Sequence, residues 1–117
     1  MRVAVENLFD PFAVRHGLSD SAGVRRAEVD AVIDPDRVAT ALPADLIAAL
    51  GLKPGWGGRF SAVRLSLAGQ TACTDVEVAP PGSPVVVGRT ALLAMGLAVD
   101  PATGRLVEVP LEAFAGM

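Results

Sequence analysis

Residues 31–52 read AVIDPDRVATALPADLIAALGL, and this stretch decides how the rest is read. An apolar run, Ala31 to Ile33, stops on Asp34. Pro35 follows at once, fixing φ and removing a backbone donor. A strand that ends this way cannot extend its ladder, so a turn is expected at Asp34–Arg37. Further on, LPADLIAALGL has the marks of a short helix. Pro43 suits the first turn, Asp45 suits the electropositive N-terminal end, and Gly51 stops it. Strand, polar turn and helix ending in Gly-Leu form one unit. The same grammar returns at residues 84–97, PVVVGRTALLAMGL, where Val85–Val87 meet Gly88 and a helix ends at Gly96-Leu97. Two copies of one unit predict an internal pseudo-twofold, with the two turns facing each other across the core.

Outward from that stretch the chain reads as β. MRVAVEN alternates, with Val3 and Val5 on one face. VRRAEVDAVID carries Val24, Ala27, Val29 and Ala31 on an imperfect period of two, and becomes wholly apolar at Val32 and Ile33, as a strand entering the core does. Arg25 and Arg26 with Glu28 and Asp30 form its solvated edge. KPGWGGRF, residues 53–60, is a turn region, and residues 61–79 form a hairpin about AGQT with Val63, Leu65 and Leu67 on one face. In its second arm Cys73, Asp75 and Glu77 oppose Val76 and Val78. A turn at DPATG, with Gly104 at the special backbone position, leads to a last strand, Leu106–Val109. A long connection at about residues 8–23 and a short tail at about 110–117 complete one domain spanning residues 1–117. The expected class is mostly β with two short helices.

Composition narrows the function. Half the chain is apolar (51%) and 20% is charged, which excludes a disordered chain. A net charge of -3 argues against a nucleic-acid partner, which would call for a basic face. The longest apolar candidate, Pro84–Val99, is interrupted by Gly88 and Arg89, so no membrane span is expected. The N-terminus lacks the apolar core of a secretory leader, and a cytoplasmic location follows as the expectation. The single cysteine excludes an internal disulfide, and Cys73 reads as a buried structural thiol. With one histidine, His16, in a loop, no zinc site and no cofactor are expected. Asp34 and Asp36 alone offer too few oxygen ligands for a hard cation, so DPDR reads as a turn with a neighbouring salt bridge and no metal is expected.

These residues resemble the retropepsin-like aspartic proteases, in particular their small bacterial single-domain members. The resemblance rests on Ile33-Asp34, Leu42-Pro43 and Leu50-Gly51-Leu52, then on Val87-Gly88-Arg89, Met95-Gly96-Leu97 and Val99–Val107, and it runs from about Val24 to Val109. It implies a closed antiparallel retropepsin-like barrel in which two chains pair, each giving one aspartate to a shared site. Two carboxylates a few ångströms apart share a proton, so one activates water while the other polarises the peptide carbonyl. The resemblance places Asp34 in that role.

Two departures run against activity. The family pattern after the aspartate is Thr or Ser, then Gly; here Pro35 and Asp36 stand in those places. Pro35 has neither hydroxyl nor N–H to lock two turns together, and Asp36 adds a second negative charge unless Arg37 or Arg89 offsets it. The family's flap has only Lys53–Phe60 to occupy, where Trp56, flanked by glycines, reads as a surface anchor or packing contact ahead of a minimal lid. The resulting expectation is a retropepsin-like protein without catalysis, serving as a structural, adaptor or assembly subunit. A protein partner or a homodimer is implied, and Phe9, Phe12 and Trp56 are the candidate binding residues. The alternative is an active homodimeric aspartic endopeptidase using one Asp34 from each chain.

Overall fold

The computed structural model describes residues 1–9 and 25–109. Most of the expected 8–23 connection, Phe12 and His16 included, and the tail from residue 110 lie outside the described residues. The strands are β1 (Arg2–Asn7), β2 (Arg26–Ile33), β3 (Thr40–Pro43), β4 (Lys53–Pro54), β5 (Phe60–Leu67), β6 (Gln70–Ala79), β7 (Val85–Val87), β8 (Leu97–Val99) and β9 (Leu106–Glu108). Among the described residues two α-helices, α1 (Ala44–Leu50) and α2 (Arg89–Ala94), join them, with a single 3-10 turn at Trp56–Gly58.

The main sheet runs β1-β2-β7-β3-β6-β5-β4, and β1 also pairs with β5. That extra pairing closes six strands into a barrel and leaves β4 outside it. Closure removes the open edges that a flat sheet would expose. Four junctions of the ring are antiparallel and two are parallel, β2 with β7 and β3 with β6. The barrel is therefore mostly, not wholly, antiparallel. Each parallel pair joins strands far apart in sequence, as the long crossover that parallel strands require would demand. β8 and β9 form a separate antiparallel hairpin about residues 100–105.

Alternation explains which faces fill the barrel. Val3 and Val5 of β1, Val63, Leu65 and Leu67 of β5, Val76 of β6, and Val85 and Val87 of β7 are all buried, with Leu42 of β3 among them. Fully burying one such side chain contributes roughly 1.5–3 kcal/mol. Ile47 and Leu50 of α1 and Ala91 and Leu92 of α2 complete the core.

The Gly-Leu endings have one physical cause. Gly51 (φ 66) and Gly96 (φ 71) take the left-handed conformation, which costs other residues a Cβ clash. The chain then folds back so that Leu52 N–H reaches the Ile47 carbonyl (3.2 Å), and Leu52 and Leu97 are buried.

Several expectations are corrected here. Val32 does not enter the core: it is 50% exposed, because strict alternation turns it outward between buried Ala31 and half-buried Ile33. Cys73 is exposed, since Ala72 and Val76 take the inward positions of β6. Val78 is likewise 49% exposed, near the end of its strand. Pro43 closes β3 and caps α1 from outside, with ψ 149, instead of starting the helix. The charged run at Arg26–Asp30, by contrast, lies where expected: it pairs with β1 alone, because β7 reaches only Ala31–Ile33, and its ion pairs, Arg26–Glu28 at 3.2 Å and Arg2–Asp30 at 3.6 Å, line that solvated edge.

Candidate functional site

Three hydrogen bonds set the place of Asp34. Its backbone N–H donates to the Val87 carbonyl (3.0 Å), carrying the β2–β7 ladder one residue past Ile33. Its own carbonyl accepts from the Arg37 N–H (3.2 Å), closing a turn over Pro35 and Asp36. Its Oδ1 accepts from the Asp36 N–H (3.0 Å). The sequence suits this arrangement: aspartate side chains readily bond the backbone two residues on, and proline presets φ at the second turn position. The missing N–H of Pro35 leaves no gap, because the first donor the turn uses is that of Asp36. Asp34 and Pro35 are half-buried, and Asp36 is exposed.

The turn is fastened to the second unit. Arg89 N–H donates to the Arg37 carbonyl (2.7 Å) and Thr90 N–H to the Val38 carbonyl (3.1 Å), so the turn satisfies the free donors that begin α2. The Gly88 N–H donates to Oγ1 of buried Thr40 (3.1 Å). A Cβ on Gly88 would overlap the Ala39 carbonyl and stand 2.8 Å from the Val38 oxygen, so only glycine fits this approach. The two turns thus touch and are bonded directly, where the repeat had suggested that they face each other across the core.

Arg37 does not offset the two aspartates. Its Nε donates to the Ala39 carbonyl (3.1 Å) and its guanidinium pairs with Glu77 of β6 at 3.1 Å. Arg89 is exposed and forms no ion pair, so among the described residues no basic side chain pairs with Asp34 or Asp36. The salt bridge expected beside DPDR exists, but its acid is Glu77. What the arrangement offers chemically is one carboxylate per chain, fixed in orientation by a backbone donor and flanked by a second, exposed negative charge.

The other candidate residues lie elsewhere. Lys53–Pro54 pairs with Phe60–Ser61, so the expected plain turn is the tip of a short hairpin. Trp56, in the single helical turn at that tip, is 95% exposed. Phe9 is 54% exposed. A pocket of about 460 Å³ opens between Asn7, Phe9, Arg25, Gly51, Lys53, Pro54 and Ser61, none of them part of the Asp34 turn.

Sequence reasoning passed over Thr40, Gly88 as a contact point, and Asn7. Asn7 is buried and ties β1 to α1 through its Nδ2 on the Leu50 carbonyl (2.8 Å), while its Oδ1 accepts from the Phe9 N–H. A lone asparagine at the end of an apolar strand was the available signal. For Thr40 there was none, since a threonine entering a strand is ordinary.

A closed six-stranded barrel with two short helices, and an aspartate turn bonded to a glycine turn, is a retropepsin-like fold. Among solved structures the chain is similar to the retroviral protease-like domain of Ddi1 from Leishmania major, with a TM-score of 0.54 and 18% identity over 69% of this chain and 75% of that one. At that identity the likeness shows the fold alone. No family model matches the sequence, and no curated protein matches it.

Proposed function

We propose that this chain keeps the retropepsin-like barrel as a scaffold for protein–protein contact and does not hydrolyse peptides. The observation that carries this reading is the Asp34 turn itself. Pro35 supplies no hydroxyl to lock a second turn against it, and Asp36 sets an uncompensated charge beside the carboxylate. Pairing two such turns would gather four carboxylates at one axis with Arg37 already engaged by Glu77, and like charges so close oppose the pairing. The short tip at residues 53–60 adds support, because it offers little to exclude water from a bound peptide. The partner is a protein or a second copy of the chain.

A second reading, a homodimeric aspartic endopeptidase, draws on one observation: the Asp36 N–H holds the Asp34 carboxylate in a fixed orientation at the end of β2. Hydrolysis of a denatured protein from acid to neutral pH separates the two. Cleavage by the wild type that is lost in Asp34→Asn establishes the peptidase. No cleavage by folded protein at any pH supports the scaffold.

A further inference from the structure

The tip of the β4–β5 hairpin is unlike the rest of the surface. Residues 53–59, KPGWGGR, are seven consecutive exposed positions, and none is acidic. This happens on a chain whose 13 acidic residues outnumber its 10 basic ones. Lys53 and Arg59 stand at the two ends of the tip, and among the described residues neither forms an ion pair or side-chain hydrogen bond. Between them the indole of Trp56 is 95% exposed. The tip is held shut by the Gly55 N–H on the Arg59 carbonyl (2.6 Å) and the Arg59 N–H on the Trp56 carbonyl (3.3 Å), so the indole is presented on a bonded loop. Phe9, also exposed, lines the pocket at the base of the tip with Lys53 and Pro54.

We infer that this tip docks on an anionic lipid surface, with Trp56 at the interface and Lys53 and Arg59 on the headgroups. Indole rings favour the boundary between hydrocarbon and water, and lysine or arginine beside them is attracted to the negative leaflet. A protein partner fits the tip less well. A specific protein interface buries above about 1,000 Å² with shape complementarity, whereas one indole on glycine neighbours supplies about 150–250 Å² of burial and no shaped surface around it. Charge complementarity points the same way: among the described residues the tip is the longest run of exposed positions without a carboxylate, and it carries a cation at each end. The inference stands on the tip alone and is independent of whether Asp34 is catalytic.

Trp56 is the only tryptophan, so its fluorescence reports on the tip without labelling. The full chain is mixed with phosphatidylcholine vesicles, with and without phosphatidylserine, at physiological ionic strength. The expected result is co-sedimentation with the phosphatidylserine vesicles alone, with a blue-shifted emission that added salt reverses. Lys53→Glu and Arg59→Glu each weaken binding by more than about fivefold, the loss expected from removing one cation alone, and together by more than about thirtyfold. Arg105→Glu, an exposed charge away from the tip, leaves it unchanged. The exposed tip makes these variants compatible with folding, and a circular-dichroism melt checks that. An unshifted emission with no co-sedimentation overturns the inference. So does vesicle binding indifferent to the two reversals, or a blue shift obtained with an acidic polypeptide such as polyglutamate but not with vesicles.

Discussion

The two strand–turn–helix units of this chain share a grammar and end as different devices. In the second, Val85–Val87 pass through Gly88 directly into α2. In the first, β2 passes through residues 34–39 and a further strand, β3, before α1 begins. The Gly88 turn has no room for a side chain and exists to let two backbones touch. The Asp34 turn, which receives that contact, spends its own backbone groups on α2 and presents its carboxylates outward. One turn is packing, and the other is surface chemistry held in place by packing. This division explains how the Pro35-Asp36 departure is tolerated: the bonds that anchor the turn come from the carbonyls of Arg37 and Val38, which do not depend on what stands at residues 35 and 36.

The comparison can be broken first at the strand that only the first unit has. Leu42→Ala, at a fully buried position of β3, is expected to cost about 3–4 kcal/mol in denaturant unfolding through lost burial and a residual cavity. A loss below about 1 kcal/mol would mean that β3 is not central to the core. Next comes the contact between the units. Gly88→Ala forces its Cβ onto the Val38 and Ala39 backbone and is expected to cost about 2 kcal/mol, whereas Asp36→Ala, at the exposed turn, stays within about 0.5 kcal/mol. Equal losses at the two positions would erase the distinction drawn between the turns. Thr40→Val keeps the shape of the side chain but leaves the buried Gly88 N–H without its acceptor, and should lower stability by about 1–2 kcal/mol. The smallest effect belongs to Arg37→Ala or Glu77→Ala. Their pair is two-fifths exposed and solvent-screened, so each change should cost less than about 1 kcal/mol and fall further at high salt.

Much of this was legible in the residues. The apolar triplets, the Gly-Leu helix endings and the alternation in residues 61–67 were enough for a mostly β fold with two short helices, because each is a local signal with a fixed period; its closure was implied by the family resemblance alone. What stayed hidden was set by register. Val32 and Cys73 sit in apolar surroundings in the sequence, yet which face a residue takes depends on its strand neighbours, and a one-residue shift would reverse it. The parallel pairings of β2 with β7 and β3 with β6 join residues 54 and 36 apart, as in Ala31 with Val85 and Thr40 with Val76, beyond any local pattern. At the site, Asp34 and its turn could be named from the sequence, but the direction of Arg37 could not. Its partner Glu77 is brought near by the β3–β6 pairing, where Ala41 lies opposite Glu77.

The most direct measurement is a mass-spectrometric cleavage map of an unfolded protein incubated with the purified chain across the acid range, with Asp34→Asn as the blank. The expected result is two identical maps, each showing intact substrate. Peptides that appear with the wild type and vanish with Asp34→Asn would contradict the scaffold reading and make Asp34-Pro35-Asp36 a working catalytic turn.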